Sequence, residues 1–267
     1  MSGGLEAVLA GIGPVAVAVS GGVDSLTLAS VARRGSARMV HAVSPAVPEE
    51  ATRRVREEAA RQGWDLAVIE AGEFGDPAYR RNPVNRCFFC KTNLYGAIRA
   101  LTGRVIVSGA NLDDLGEYRP GLEAAKAYGV RHPFVEAGMG KEAVRALARR
   151  LGLGAVAELP AAPCLSSRVE TGIPIEPATL GFVHAVERLV SEVLGGAPGP
   201  RRAVRCRVRA SGIVVELDPA SLSALTADDR VALGLRIAGE APVDLVGAEI
   251  RFAPYRVGSA FLTGSAR

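Results

Sequence analysis

The sequence predicts an α/β protein with a doubly wound, mainly parallel sheet and a smaller C-terminal α+β domain. Three observations support this prediction. Short apolar runs alternate with helical segments in the first half of the chain, a glycine-rich turn follows the first run, and the pattern changes near residue 176. A chain of 267 residues is also too long for one small core. We therefore predict domains at residues 1–175 and 176–267.

The strands and helices of the first domain follow one another in regular order. Val15 to Val19 is a short apolar run that predicts a buried parallel strand, and the glycine turn after it leads into a helix. The alternation continues with RMVHAVS as strand, EEATRRVREEAARQG as helix, DLAVIEA as strand, KTNLYGAIRAL as helix and VIVSGA as strand. Two more helices are predicted at GLEAAKAYGV and KEAVRALARRLGL. In a sheet of this kind, ligands bind outside the carboxyl ends of the strands.

The second domain is predicted from the segments that follow a weakly periodic loop at residues 158–177. ATLGFVHAVERLVSEVL predicts a helix, and AVRCRVRA and GIVVELD predict two strands joined by a short Ser-Gly turn. SLSALTADDRVALGLRIAG is helical in pattern, and the last segment is predicted to add another strand. Helices and strands in this order are typical of an α+β domain.

The composition limits the classes of function. Hydrophobic residues make up 48% and charged residues 22%, which is typical of globular proteins. No apolar run approaches the roughly 20 residues that cross a bilayer, and the start lacks a signal-peptide pattern. We therefore predict a cytoplasmic protein with no membrane partner. The net charge of +4 comes from 32 basic and 28 acidic side chains that are well mixed, which favours small anionic ligands over nucleic acid.

The motif SGGVDS, from Ser20 to Ser25, has the features of a phosphate-binding turn. It lies between a strand and a helix, where free N–H groups and the helix dipole favour an anion. Gly21 and Gly22 let the backbone approach phosphate, and the serine hydroxyls can donate hydrogen bonds. The carboxylate of Asp24 would repel phosphate unless a cation such as Mg²⁺ lies between them. The alternative is an ordinary glycine turn.

Five motifs together resemble the LarE family over nearly the whole chain. SGGVDS resembles the PP-loop of the ATP pyrophosphatase superfamily, and it lacks the lysine of a Walker A loop. The others are NRCFFCK, SGANLDDLGEYRPGLEAAKAYGVR, PCLSSR and YRVGS. The resemblance implies an ATP-dependent sulfur transferase that forms AMP and pyrophosphate. Its substrate would be pyridinium-3,5-biscarboxylic acid mononucleotide, whose carboxylates become thiocarboxylates during synthesis of a nickel-pincer nucleotide cofactor. It also implies a homo-oligomer.

An acidic segment follows the VIVSGA strand. Asp113, Asp114 and Glu117 lie at its carboxyl end, where they can reach the cation that Asp24 requires, although a solvated acidic loop is an equal alternative. Arg119 is followed by proline, and we expect it to hold an anion.

Basic residues alternate along one strand of the second domain. Arg205, Arg207 and Arg209 share one face because side chains alternate along a strand. The resemblance assigns Arg207 and Arg209 to the phosphate of the nucleotide substrate, with Glu216 as a nearby acidic residue. A solvated strand face is the alternative. Cys206 points to the other face, and we predict that it packs in the core.

The remaining cysteines bear on the source of sulfur. Cys87 and Cys90 form a CxxC pair, and the resemblance makes Cys164 of PCLSSR the cysteine that handles sulfur, with Ser167 and Arg168 in the binding site. We expect Arg168 to favour the Cys164 thiolate. The family has a version in which a lone cysteine gives up its own sulfur. In the other version, three cysteines bind a 4Fe-4S cluster that carries an added sulfide.

The CxxC pair favours the second version, with Cys87, Cys90 and Cys164 as ligands of the cluster. Zinc binding, redox cycling and simple packing of the cysteines stay open as alternatives. Two other functions are also considered. A PP-loop tRNA thiolase is expected to carry extra zinc-binding cysteine pairs or a basic appendage, and a non-catalytic nucleotide- and metal-binding module would regulate a partner. The sequence does not identify the sulfide source.

Overall fold

The computed structural model describes residues 2–116, 119–160, 162–195 and 203–256. The chain divides into two compact units. The first unit contains Met1–Tyr79 and Asn85–Ala162, and the second contains Arg80–Val84 and Pro163–Arg267.

The first unit is built on a parallel sheet, as predicted. Its described strands are β1 (Val15–Ala18), β2 (Ala37–Val43), β3 (Leu66–Glu70) and β4 (Val105–Val107). They lie in the order β3-β2-β1-β4, and every neighbouring pair is parallel. The carboxyl ends of all these strands therefore meet at one edge of the sheet.

Helices cover both faces of this sheet. Their bounds are α1 (Ser2–Ile12), α2 (Val23–Ala32), α3 (Glu49–Gln62), α4 (Pro77–Arg80), α5 (Arg86–Leu101), α6 (Pro120–Ala127), α7 (Pro133–Glu136) and α8 (Lys141–Arg150). Val15 and Val17 of β1 belong to one buried cluster, whereas Ala16 belongs to another that includes Ile98 of α5. Because side chains alternate along a strand, the two clusters lie on opposite faces. This arrangement confirms the doubly wound α/β prediction.

The second unit contains a small mixed sheet. Strands β5 (Val204–Arg209) and β6 (Gly212–Leu217) are antiparallel, and β7 (Ile250–Pro254) lies parallel to β6. The helices are α9 (Pro177–Val193), α10 (Pro219–Ala224) and α11 (Ala227–Gly239). The sequence predicts one helical segment where α10 and α11 lie. The two helices are separate because Thr226 forms a capping box with Asp229 and begins a new helix.

Two segments that are distant in sequence join within the second unit. Asn82 is fully buried with φ +52°, and its side-chain amide donates to the carbonyl oxygens of Glu170 and Ile173, each at 2.9 Å. The backbone N–H of Ile175 donates to the carbonyl oxygen of Arg80. These bonds group residues 163–175 with the second unit, whereas the predicted domain boundary lies after residue 175.

Candidate active site

The predicted phosphate-binding turn lies between β1 and α2. Gly22 caps α2 in an extended conformation, and Gly21 has φ +84°. A Cβ atom on Gly21 would lie only 2.7 Å from the carbonyl oxygen of Ala51, so a larger residue does not fit without displacing α3. The turn therefore brings the unpaired N–H groups of the first turn of α2 to the carboxyl edge of the sheet. This arrangement favours an anionic ligand.

The two serines of the turn differ in their surroundings. The buried Ser25 hydroxyl accepts from the backbone N–H of Ser20 at 3.1 Å and donates to the carbonyl oxygen of Gly22 at 3.1 Å. Ser20 is exposed, and its hydroxyl oxygen lies 3.1 Å from that of Ser25. Ser25 thus holds the turn closed, and Ser20 presents a hydroxyl at its surface.

Gly109, which follows β4, packs against the same turn. A Cβ atom at this position would lie 3.0 Å from both the carbonyl carbon of Asp24 and the backbone nitrogen of Ser25. Only glycine allows this close approach of two backbones. Sequence reasoning did not single out Gly109; the signal that could have found it is its place directly after a buried strand.

Asp24 and Asp114 are electrostatically coupled. Burial raises the pKa of the Asp24 carboxyl above its usual value, and the carboxylate of Asp114 raises it further. Arg145, Lys141 and Arg119 oppose this shift without cancelling it. The carboxylates of Asp24 and Asp114 at this carboxyl edge offer oxygen ligands for a divalent cation such as Mg²⁺, which would relieve the unfavourable charge of Asp24.

The other residues of the acidic segment have different roles. The Asp113 carboxylate accepts from the backbone N–H of Lys141 at 2.7 Å, at the start of α8. Asp114 is buried and lies 2.9 Å from the guanidinium of Arg119. Arg119 therefore neutralises a carboxylate, and its predicted contact with an anion stays a prediction. Glu117 lies outside the described residues.

Two basic residues of α8 were missed by the sequence analysis. The ammonium of Lys141 lies 3.8 Å from the Asp114 carboxylate. The Arg145 guanidinium donates to the carbonyl oxygens of Ala157 and Leu159 at 2.6 and 2.7 Å, which fixes its position. Both lower the pKa of Asp24, so α8 contributes positive charge to the carboxyl edge.

Cys87 and Cys90 lie in the first two turns of α5. Residues three apart on a helix share one face, so the two thiols project to the same side. Both side chains are partly buried. The rings of Phe88 and Phe89 pack edge to face with centroids 5.5 Å apart. The helix thus places two thiols one turn apart, a spacing that would suit a metal or a cluster.

Cys164 belongs to the second unit and is exposed. It caps a short 3-10 helix, Leu165–Arg168. The buried Arg168 guanidinium donates to the carbonyl oxygens of Pro163 and Cys164 at 2.8 and 3.3 Å, and to the Ser167 hydroxyl at 2.9 Å. Arg168 therefore fixes the backbone that carries the thiol.

Glu187 of α9 holds Arg168 in place. Its two carboxylate oxygens accept from Arg168 Nε and Nη2 at 2.8 and 3.1 Å, and one of them also accepts from the backbone N–H of Cys206 at 3.1 Å. Burial lowers the pKa of Arg168, but the charge and hydrogen bonds of Glu187, with smaller contributions from Cys164 and Tyr255, together outweigh it and raise that pKa. Sequence reasoning missed Glu187, because nothing in its local pattern distinguishes it from a surface helical glutamate.

The predicted arginines of β5 meet Glu216 on β6. Arg207 is buried, lies 2.9 Å from one Glu216 carboxylate oxygen and donates to the carbonyl oxygen of Ser167 at 2.9 Å. Arg209 lies 3.5 Å from the other carboxylate oxygen. The structure therefore brings together Ser167, Arg207, Arg209 and Glu216. Because Arg207 is buried, the alternative of a solvated strand face does not hold for this residue.

The neighbours of these arginines complete the cluster. Arg205 lies over the ring of Tyr255, 5.9 Å from its centroid, and burial followed by the charge of Arg168 lowers the Arg205 pKa. Cys206 is fully buried, as predicted, and burial raises the pKa of its thiol. Of the YRVGS motif, Val257 to Ser259 lie outside the described residues.

Comparison with known proteins finds a distant relative whose name states an activity. The chain is 27% identical over 244 residues to a pyridinium-3,5-bisthiocarboxylic acid mononucleotide synthase of Lactiplantibacillus plantarum, covering 88% of this chain and 86% of the relative. The chain is similar to this synthase. The similarity supports the LarE-like resemblance of the sequence motifs.

Two further relatives are uncharacterized proteins. One, from Synechocystis sp., is 38% identical over 178 residues, covering 64% of this chain and 66% of the relative. The other, from Methanocaldococcus jannaschii, is 26% identical over 188 residues, covering 68% and 71%. The match thus spans slightly less than two thirds of the Synechocystis protein. No protein-family model matches the chain.

The predicted metal ligands are divided between the two units. Cys87 and Cys90 belong to the first and Cys164 to the second. Among the described residues, no three His, Cys, Asp or Glu side chains are grouped to hold a metal ion. The helices in the described ranges also include none long and apolar enough to cross a membrane.

Proposed function

We propose that the chain is an ATP-dependent sulfur transferase that acts on pyridinium-3,5-biscarboxylic acid mononucleotide during synthesis of a nickel-pincer nucleotide cofactor. The observation that carries this proposal is the Ser20–Ser25 turn at the carboxyl edge of a parallel sheet, in a chain similar to the bisthiocarboxylic acid mononucleotide synthase. A carboxylate does not exchange oxygen for sulfur until that oxygen becomes a leaving group. ATP provides this activation.

In the proposed first step, a substrate carboxylate oxygen attacks the α-phosphorus of ATP, and pyrophosphate leaves. The N–H groups of the first turn of α2 and the Ser20 hydroxyl would stabilise charge on the phosphates. Asp24 and Asp114 would hold Mg²⁺, which neutralises the departing pyrophosphate. Lys141 and Arg145 add positive charge on the same side of Asp24.

In the proposed second step, a sulfur nucleophile attacks the acyl carbon and AMP leaves, which gives the thiocarboxylate. The partly buried Cys87 and Cys90 and the exposed Cys164 would hold a 4Fe-4S cluster, which supplies an iron site for added sulfide. The exposure of Cys164 also supports the alternative in which this cysteine gives up its own sulfur.

The nucleotide phosphate of the substrate would bind in the second unit. Arg207 and Arg209, which lie 2.9 and 3.5 Å from the two Glu216 carboxylate oxygens, would present their guanidinium groups to it. Arg207 would keep the site charged and ordered through Glu216 and Ser167.

Release of pyrophosphate tests the first step. We expect the full chain with Mg²⁺, ATP and the pyridinium substrate to release pyrophosphate and AMP. Asp24→Asn should lower the rate by about 100-fold. Asp228→Asn, an exposed position in the second unit, is the matched control and should leave the rate unchanged. Release that required tRNA instead of the pyridinium nucleotide would favour a tRNA thiolase, and no release at all would favour a regulatory module.

Iron analysis tests the sulfur source. After anaerobic reconstitution, we expect bound iron and sulfide with a broad visible absorption band. The bound iron, the sulfide and the absorption band should all be lost in Cys87→Ala, Cys90→Ala and Cys164→Ala. All should be retained in Cys206→Ala. If Cys164 is consumed instead, mass spectrometry after a single turnover will show loss of one H₂S from the chain at this residue. Zinc in place of iron would contradict the cluster.

A further inference from the structure

A cavity of about 770 Å³ lies in the first unit, at the same carboxyl edge of the sheet as the Ser20–Ser25 turn. Its floor is formed where β2 and β3 end, by Val43 and by the segment from Glu70 to Phe74. Its outer wall is the near face of α3. No residue of the phosphate-binding turn lines it. The proposed transferase chemistry does not use this cavity.

Glu73 is the unusual residue of the cavity. It begins a 3-10 turn after β3 and lines the cavity with only 5% of its surface exposed. Among the described residues, no side chain or backbone group donates a hydrogen bond to its carboxylate, and no cation pairs with it. Its carboxylate oxygens are nevertheless not fully enclosed by protein, so they still reach open space. The open space next to them is the cavity.

A buried carboxylate without a partner is rare, because burial without hydrogen bonds is strongly unfavourable. Two arginines, Arg53 and Arg56, also line the cavity, and neither forms an ion pair with Glu73. Arg53 lies 3.7 Å from Glu57 on the same helix, so these two charges largely neutralise each other. In total, four glutamates and two arginines line the cavity, which leaves an excess of negative charge.

The walls also restrict the chemistry of the ligand. Val43, Val47 and Phe74 give the cavity apolar surface. A bare Mg²⁺ or Ca²⁺ ion requires about six oxygen ligands. Although four glutamates line the cavity, no three acidic, His or Cys side chains of the described residues are grouped closely enough to hold a metal ion. An organic cation suits both features, because its charged end can pair with Glu73 while its carbon skeleton contacts the apolar wall.

We propose that this cavity binds a small molecule that carries an ammonium group, with Glu73 as its counter-ion. The ammonium donates hydrogen bonds to the Glu73 carboxylate, and its carbon skeleton packs against Phe74 and Val47. This site is separate from the proposed ATP and pyridinium nucleotide chemistry and stands independently of it.

Three probes of one carbon skeleton test this proposal: butylammonium, 1-butanol and butyrate. Each is titrated into the ¹⁵N-labelled full chain, and the amide resonances of Gly72 and Phe74 are followed by NMR. We expect saturable shifts with butylammonium at about tenfold lower concentration than with 1-butanol, and none with butyrate. Glu73→Gln should reduce the butylammonium affinity about tenfold, to that of 1-butanol.

Matched measurements keep the test decisive. Glu142→Gln, an exposed change of equal charge in α8, should leave butylammonium binding unchanged. The free Glu73→Gln protein should melt at the same or a higher temperature, because no described protein group depends on a hydrogen bond or ion pair with the Glu73 carboxylate. A lower melting temperature would show that Glu73 holds the 3-10 turn and would overturn the ligand role. Equal binding of butylammonium and 1-butanol would also overturn the ligand role of Glu73. Displacement of butylammonium by adenosine would overturn it too.

Discussion

At the scale of single residues, charges that are paired in different ways dominate the candidate site. Asp24 is disfavoured as an anion by burial and by Asp114, whereas Arg168 is held as a cation by Glu187. The first arrangement stores unfavourable energy that a bound cation would relieve. In the second arrangement, the loop that carries Cys164 depends on the ion pair between Arg168 and Glu187. Each leads to a prediction that can be measured without the substrate.

Asp24 should destabilise the folded protein at neutral pH. Its folded-state pKa is raised above 3.8, so the protonated form is favoured in the fold, and stability is lost as pH rises through the raised pKa. Asp24→Asn should therefore increase the melting temperature at pH 7, and the gain should disappear as the pH falls to 3.8 and below. Calorimetry of both proteins across this pH range is the measurement. A constant gain at every pH would contradict the raised pKa.

Loss of the Glu187 carboxylate should destabilise the second unit. Glu187→Gln leaves the buried Arg168 guanidinium without its counter-ion, and we expect a loss of about 3 kcal/mol in the free energy of unfolding. Urea denaturation measures it. Glu158→Gln is the matched control, because Glu158 pairs with Arg149 in full solvent and its loss should leave the midpoint unchanged. Equal midpoints for the two variants would contradict the role of Glu187.

At the scale of elements, the phosphate-binding turn depends on two glycines with different requirements. Gly21 has φ +84° and contacts Ala51, whereas Gly22 is extended, and a Cβ atom there would meet nothing nearer than the Ser20 hydroxyl oxygen at 3.8 Å. The first glycine is required by the fold. The second is required only if a ligand approaches the backbone.

Alanine substitutions should separate these two requirements. Gly21→Ala should lower the free energy of unfolding by about 1 to 3 kcal/mol because of backbone strain and the clash with α3. Gly22→Ala should leave stability almost unchanged but weaken ATP binding, measured by calorimetric titration. Full ATP affinity in Gly22→Ala would show that phosphate does not contact this part of the turn.

The strands and the turn could be predicted from sequence because their signals are local. Val15 to Val19 is a β-branched run, and SGGVDS follows it directly. Helices α1, α4 and α7 were not predicted, and α4 and α7 have only four residues each, too few to show a helical period. Arg168 and Glu187 could not be paired in advance, because their contact joins positions 19 residues apart on different elements. The unpartnered state of Glu73 likewise depends on what tertiary packing leaves around it.

At the scale of the whole molecule, the second unit carries exposed apolar residues. Val231 and Leu235 lie one turn apart on α11 and are 62% and 72% exposed, and Val243 and Val246 are 84% and 71% exposed. Exposed apolar surface of this kind marks an interaction site in many soluble proteins. We propose that it forms the contact between copies of the chain in a homo-oligomer.

A charged substitution on α11 should dissociate the oligomer. We expect the unchanged chain to show a mass above that of the 27.7 kDa monomer in light scattering, and Leu235→Lys to shift it to the monomer. Leu115→Lys, at a position 53% exposed in the first unit, should leave the mass unchanged. A monomer in the unchanged chain would contradict the homo-oligomer.

The position of Asn82 affects the order in which the parts of the protein can fold during synthesis. Asn82 and Glu170 are 88 residues apart, yet Asn82 supplies buried hydrogen bonds that the second unit needs. On the ribosome, residues 80–84 emerge long before their partners, while the first unit still awaits most of its own C-terminal half. The segment must therefore wait without a partner, and the thiol at Cys164 gains its fixed backbone only late in translation.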